Sequence, residues 1–490
     1  MSVEQQKPSQ EDEQTGALQG KKVSRREFLK IAGIAGAAVG AGAGLGGLVA
    51  ACGGTTTTTT AATTPTTSSA ATGTTAAGST TTVISSAEAG APIKIGFITP
   101  KTGGLAAFGT SDGYTVDRFT EYVGDGQVLG DQKKHAITVS VADTQSDSNR
   151  AGTVASDLIG SGIQLMCVAS GPDTVNPVAA QCEANSVPCL CCDNPWQAFI
   201  GAAPTGGYKW SYLFFFGIED FVANYAKVWV QLDTNKVLGG MWPNDADGIA
   251  FSNAQTGLPP LVKQDGLTLV DAGRWQDGTE DFTSEISLFK KNGCEVLAGV
   301  FNPADFTNFW KQCFQQGWSP KIATIDKAIL FPQSVNALGS IGEGLTSSLW
   351  WSPAHPWKSY LTGETCQQWA DEFTKRTNQQ WTEPLMHVTT LEMALWCLRN
   401  ATDPTSAASI NQAAPNMKFD SIGGSIDFTA PVTAQPVVGP SHVNAAVYKS
   451  PVCAGQWVKG TTYPFDFVVV NNTAAPMIPV QRQLEPIPAA

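Results

Sequence analysis

Several short patterns in the sequence could carry chemistry. Gly109-Thr110-Ser111-Asp112-Gly113 matches G-x-S-x-G, the frame that presents a serine nucleophile on a strand-to-helix turn. The preceding strand is expected to end near residue 99, too far upstream for such a turn, so Ser111 belongs to the first helix instead. The four histidines, His135, His355, His387 and His442, stand in no recognisable triad context. Cys189-Leu190-Cys191-Cys192 contains C-x-x-C. Redox or zinc chemistry would want a helix start or a second ligand pair there. Here the pattern falls on an expected buried strand after Pro188, which favours small buried side chains or one structural disulfide. Gly42-Ala43-Gly44-Leu45-Gly46-Gly47 fits G-x-G-x-x-G but lacks the preceding strand and the ribose-binding acid of a dinucleotide site. These patterns leave no catalytic residue, no metal site and no cofactor, and the expectation is a non-enzyme.

The charge balance narrows the partners. Thirty Lys and Arg stand against 42 Asp and Glu, a net charge of −12 in 490 residues. That argues against nucleic acid and against electrostatic membrane binding. Eleven cysteines are present. Ten of them lie beyond residue 52, and their pairing cannot be deduced from sequence.

The first ninety residues are an address and a tether. Ser24-Arg25-Arg26-Glu27-Phe28-Leu29-Lys30 looks like a twin-arginine export signal, followed by a Gly- and Ala-rich apolar stretch over 31–51. Leu48-Val49-Ala50-Ala51-Cys52 resembles a lipobox, with Val49 where Leu is usual. The expectation is a signal peptide over 1–51 and lipidation of Cys52, which would hold the exported chain on the outer face of the cytoplasmic membrane. Residues 52–88 are mostly Thr, Ala, Ser and Gly, which cannot bury a core and suit a disordered tether. No later apolar run is long enough to span a membrane.

The rest of the chain alternates strand and helix. Apolar or alternating runs predict strands at 93–99, 135–143, 163–169 and 187–192, with helices at 149–159 and 174–184. The cadence then restarts. Helix is expected at 221–232 and strands at 236–241, 267–271, 296–300 and 322–325, with helical spacing in Phe282, Ile286 and Phe289 and again in Phe306, Phe309, Trp310 and Cys313. A strand at 345–350, a long helix carrying Val388, Leu391, Leu395 and Leu398, and closing strands at 420–428 and 465–470 complete the reading. Such a cadence implies α/β architecture: parallel sheets with helices on both faces, in two units.

Three stretches are similar to one family. Ile-Thr-Pro at 98–100 followed by Thr102-Gly103-Gly104-Leu105-Ala106-Ala107-Phe108-Gly109 resembles the opening of the Leu/Ile/Val-binding proteins. So do Asp143-Thr144-Gln145-Ser146-Asp147-Ser148-Asn149-Arg150 and Gly299-Val300-Phe301-Asn302-Pro303, each before a helix. The likeness covers about 92–475. It implies the type I periplasmic-binding fold, two doubly wound parallel-sheet lobes with a ligand cleft between them and three crossovers. Lobe one would be 92–215 plus 345–430 and lobe two 216–344 plus 431–475, with 476–490 a C-terminal tail. It also implies a monomeric solute-binding subunit of an ABC importer, partnered by permease subunits, which captures a small polar ligand such as an amino acid or amide. A ligand-sensing receptor without transport is the alternative on the same fold.

Ligand residues are then expected on strand-to-helix loops. By resemblance Phe108 takes an aromatic ligand position. Gly171-Pro172-Asp173-Thr174 stands where relatives place carboxylate-binding hydroxyls, so Asp173 and Thr174 are candidates, although either could cap the helix. Asp193-Asn194-Pro195-Trp196 matches a family Thr-Asn-Pro, with an acid in place of the hydroxyl, and Trp196 could stack on ligand. In lobe two Asp247 and Asp305 fall near ligand positions, with Ala304 an alternative register for the second, and Lys327 could bring positive charge to the cleft. Acids and aromatics in these loops suggest a cationic, aromatic or donor-rich ligand over a plain aliphatic amino acid.

Overall fold

The computed structural model describes residues 87–255, 257–432 and 442–489. The expected signal peptide, Cys52 and nearly all of the tether lie outside the described residues. At the tether's expected end, Lys134 donates its backbone N–H to the Glu88 carbonyl at 2.7 Å. Among the described residues no helix is long and apolar enough to cross a membrane.

The strands follow the buried apolar runs. They are β1 (Ile93–Thr99), the short pair β2 (Gln127–Val128) and β3 (Lys134–His135), β4 (Ile137–Asp143), β5 (Leu165–Val168), β6 (Cys189–Cys192) and β7 (Ser211–Phe214). The next group is β8 (Val237–Pro243), β9 (Thr268–Trp275), β10 (Val296–Val300), β11 (Ile322–Asp326) and β12 (Thr346–Leu349). Then come β13 (Lys418–Ser421), β14 (Gly424–Asp427), β15 (His442–Asn444), β16 (Val447–Tyr448), β17 (Cys453–Lys459) and β18 (Phe465–Asn471). Two seven-stranded sheets result, ordered β15-β16-β7-β6-β5-β1-β4 and β18-β17-β12-β11-β10-β8-β9. In the first sheet the strands from β16 to β4 run parallel and in the second those from β12 to β9; among the described residues the antiparallel pairs of these two sheets are β15–β16, β12–β17 and β17–β18. The two-lobed, doubly wound α/β fold is therefore as the sequence implies. In each sheet the order reverses once, between β1 and β5 and between β8 and β10, and such switch points are where open α/β sheets bind ligands.

The lobe boundaries differ from the expected ones. β12 pairs with β11 in the second sheet, so the chain returns to lobe one at Trp350 rather than at 345. β15 and β16 join the first sheet through β7, so lobe one reclaims residues 442–448 and the final crossing falls at 449–452. Both shifts have one cause: a buried strand carries no mark of which sheet it joins. The expected strand at 420–428 is a hairpin, β13 and β14, turned at Ile422-Gly423 with Gly424 at φ +134°. The tail is held to lobe two, with Ile487 donating its N–H to the Lys321 carbonyl and the Gln456 side chain donating to the Glu485 carbonyl at 2.7 Å.

Local signals set the helix ends. Asp147 caps Ser148–Gly160 by accepting the Arg150 N–H at 2.7 Å. Thr365 and Gln368 form a reciprocal capping box on Cys366–Thr377, which stops at Asn378 in the left-handed region. Pro172 and Pro303 open their helices, where a missing N–H costs nothing. The ten cysteines beyond the tether are all buried and free. Burial pushes the thiols of Cys189 and Cys192 well above their ordinary range, which suits packing and not redox chemistry. A structural disulfide at C-x-x-C, left open by the sequence, is not formed.

Candidate functional site

The carboxyl ends of the parallel strands of both sheets face one cavity of about 40 Å3 that is partly open to solvent. Its charged rim begins with backbone geometry. Ser170 after β5, Asp193 after β6 and Lys327 after β11 all have positive φ, at +86°, +53° and +66°. A residue with a Cβ occupies that region at a cost of about 1–2 kcal/mol, so three such residues at strand ends mark a place where side-chain direction is over-determined.

Asp193 is held from below. Its Oδ2 lies 3.3 Å from His387 Nε2, while His387 Nδ1 lies 2.8 Å from Asp112 Oδ1. Asp112 Oδ2 in turn accepts the Thr99 hydroxyl at 2.5 Å. Burial works against a charge on His387, but the two flanking carboxylates outweigh it and raise its pKa to about 9. The imidazole is therefore a cation at neutral pH. It stacks nearly parallel to Trp350, with 6.3 Å between ring centroids.

Lobe two supplies the opposite wall. Lys327 Nζ sits 2.8 Å from Asp247 Oδ2 and 3.0 Å from Asp245 Oδ2, and it reaches across to Asp173 Oδ2 of lobe one at 3.8 Å. Burial disfavours the ammonium, but the three acids hold it protonated, its pKa well above the ordinary lysine range. For Asp247 burial dominates and raises the carboxyl, with Lys327 opposing. The oxygens of Asp173, Asp245 and Asp247 are close enough together to hold a metal ion, and the Lys327 ammonium takes that position. Asp326 is pushed up to about 6 by burial, moderated by the Ser348 hydroxyl at 2.5 Å and by the Tyr225 hydroxyl.

Between these polar ends the cavity is apolar. Phe108, Phe215, Phe216, Phe221, Phe251 and Trp350 face it, together with Val300 and Leu330. The cavity is shut across the lobes at two points. Phe108 meets Phe331 edge to face at 4.7 Å, and Asp173 meets Lys327. An arrangement of this kind can take in a molecule with an apolar body, and the lining hydroxyl of Ser348 donates to Asp326. Ser111 of the G-x-S-x-G pattern is fully buried at the start of its helix.

Residues 92–441 match the family described as periplasmic binding protein. The chain belongs to that family. Solved structures agree in fold. A leucine-binding protein, LivK of Thermotoga maritima, is 16% identical with a TM-score of 0.61, over 78% of this chain and 99% of its own. LivJ of Streptococcus pneumoniae, a branched-chain amino acid binding protein in complex with isoleucine, is 14% identical with a TM-score of 0.59, over 77% and 99%. A solute-binding protein of an ABC transporter from Rhodopseudomonas palustris, in complex with 3,4-dihydroxybenzoic acid, is 16% identical with a TM-score of 0.61, over 77% and 96%. No curated protein matches the sequence. The resemblance to Leu/Ile/Val-binding proteins is thus supported by the family match.

In this periplasmic binding protein four of the expected ligand residues, Phe108, Asp193, Asp247 and Lys327, line this cavity. Asp173 and Asp305 instead line the wider mouth of the cleft beside Asp245 and Asp277, with Ala304 next to them. Asp305 accepts the Gly278 N–H at 3.1 Å, so it also fixes a loop. Thr174 is buried in its helix, its N–H on the Gly171 carbonyl, and lines neither space. Trp196 points to the crossover, donating its indole N–H to Glu219 at 2.9 Å, and does not reach the cavity. The aromatic wall at 215–251, Asp326 and the His387 support were not identified from sequence. The Phe214-Phe215-Phe216 run at the end of β7 was the available signal for part of that wall.

Proposed function

We propose that this protein captures a small molecule between its lobes and presents it to the permease of an ABC importer, without chemistry on it. The observation that carries this is the cavity at the carboxyl ends of both parallel sheets, bridged across the lobes by Phe108–Phe331 and Asp173–Lys327. Contacts made only when both lobes touch the ligand favour the closed form and shift the open–closed equilibrium. The three crossings that join the lobes, near 215–217, 350 and 449–452, are few enough to act as a hinge. Two of them are tied together by Lys449, which lies 2.7 Å from Glu219 and 2.8 Å from Asp220.

In this reading the protein is exported, carries a lipid on Cys52 and works as a monomer at the outer face of the cytoplasmic membrane. Support for the address comes from the paired arginines and the small residues before Cys52. The aromatic side chains in the cavity wall favour a small polar ligand that also carries an apolar body.

The test is the melting temperature against a panel of amino acids, amides, amines and aromatic acids. A ligand present at ~100 times its dissociation constant, binding only the folded form, adds about 2.7 kcal/mol. A rise confined to one chemical class supports capture. A flat response to every class, alongside hydrolysis of any panel member, defeats it.

A further inference from the structure

The cavity's charge pattern identifies the ligand class, on the premise that this cavity is the capture site. Consider first what an anionic ligand would meet. Among the described residues Lys327 is the one cationic side chain lining the cavity, and Asp245, Asp247 and Asp173 already surround it. The two cavity-lining residues at the start of the helix after β5 offer no backbone donor in its place. The helix Pro172–Asn185 starts with an imino acid that has no N–H, and the Gly171 N–H is taken by the Asp193 carbonyl at 2.6 Å. A ligand carboxylate would thus be desolvated against acids with no free partner.

A cation meets the opposite situation. Asp193 is 5% exposed and lines the cavity. Its Oδ2 faces His387, while Oδ1 accepts no hydrogen bond among the described residues and is not sealed from the cavity. Phe108, Phe216, Phe221, Phe251 and Trp350 line the same cavity, and aromatic rings attract a cation to their faces as well as packing an apolar body. We propose that the ligand is an organic ammonium ion with an aromatic or branched apolar body and no carboxylate, its ammonium donating to Asp193 Oδ1 and its body packed in the phenylalanine wall. An α-amino acid, which brings a carboxylate with its ammonium, is disfavoured by the same geometry.

The experiment is calorimetric titration of the full chain with compounds that share a body and differ in charge: 2-phenylethylamine, 2-phenylethanol, 3-phenylpropionate and L-phenylalanine, with isopentylamine as a branched body. The amine should bind about 10- to 100-fold tighter than the alcohol, the range of one charge-assisted hydrogen bond, and tighter still than the two carboxylates. Asp193→Asn should cost the amine at least about tenfold and leave the alcohol within about twofold, which a merely structural role would not do. If that variant fails to fold, the charge series on the unaltered chain decides alone. Tighter binding of 3-phenylpropionate or phenylalanine overturns the ligand class and leaves lobe capture standing. Failure of both amines to bind also overturns the class, whereas capture itself is judged by the wider melting panel.

Discussion

His387 offers a sharp test of how the floor of the cavity is held. Two carboxylates raise its pKa from an ordinary 6.5 to about 9 against the opposing effect of burial. A folded-state pKa above the unfolded one means that the folded chain binds the proton more tightly. The stabilisation is then complete below about pH 6.5 and fades as pH rises through about 9. At about 1.4 kcal/mol per pH unit, the gap corresponds to on the order of 3 kcal/mol. Urea unfolding of the wild-type chain and of His387→Gln at roughly pH 6 and pH 10 measures it. The wild-type advantage should shrink by on the order of 3 kcal/mol at the higher pH. Proton NMR of the imidazole should show one histidine titrating near 9. An advantage equal at both pH values, or no histidine titrating above 8, would show that Asp112 and Asp193 do not grip a cation.

Three further outcomes follow from buried polar groups. Glu392 accepts the Ser359 hydroxyl at 2.7 Å and the N–H groups of Tyr360 and Ile422 at 2.8 and 3.0 Å, so Glu392→Ala should cost roughly 3 kcal/mol by urea unfolding. Lys449 is fully buried against Glu219 and Asp220, and Lys449→Met, which strands those acids, should cost about 3–5 kcal/mol, read as a fall in melting temperature. Ser111 Oγ is buried without a partner among the described residues, so Ser111→Ala should change stability by less than about 1 kcal/mol, leaving ligand titration curves unchanged. A large loss in ligand affinity there would reopen a role for Ser111.

How far the sequence spoke for itself depended on the range of each interaction. β5 and β10 are short, wholly buried apolar runs, legible because a parallel strand is covered on both faces. β17 was missed: Cys453-Ala454-Gly455-Gln456-Trp457 carries small and polar residues, and its strand character comes from lying between β12 and β18. The sheet membership of β12 and of 442–448 was illegible for the same reason. At the site, loops after strands located Asp193, Asp247 and Lys327, since strand ends dictate where a doubly wound sheet binds. Side-chain direction was not legible. Trp196 turns to Glu219, a partner on the next helix, and Lys327 owes its state to acids from two lobes. His387 had no sequence context because its partners are 275 and 194 residues away.

Closure of the lobes around a ligand is the central claim, and small-angle scattering measures it directly. The protein would be recorded free and then saturated with whichever panel compound raises its melting temperature most. Capture between the lobes predicts a smaller radius of gyration on saturation. Superimposable curves for the free and saturated protein, with binding established by calorimetry, would contradict it.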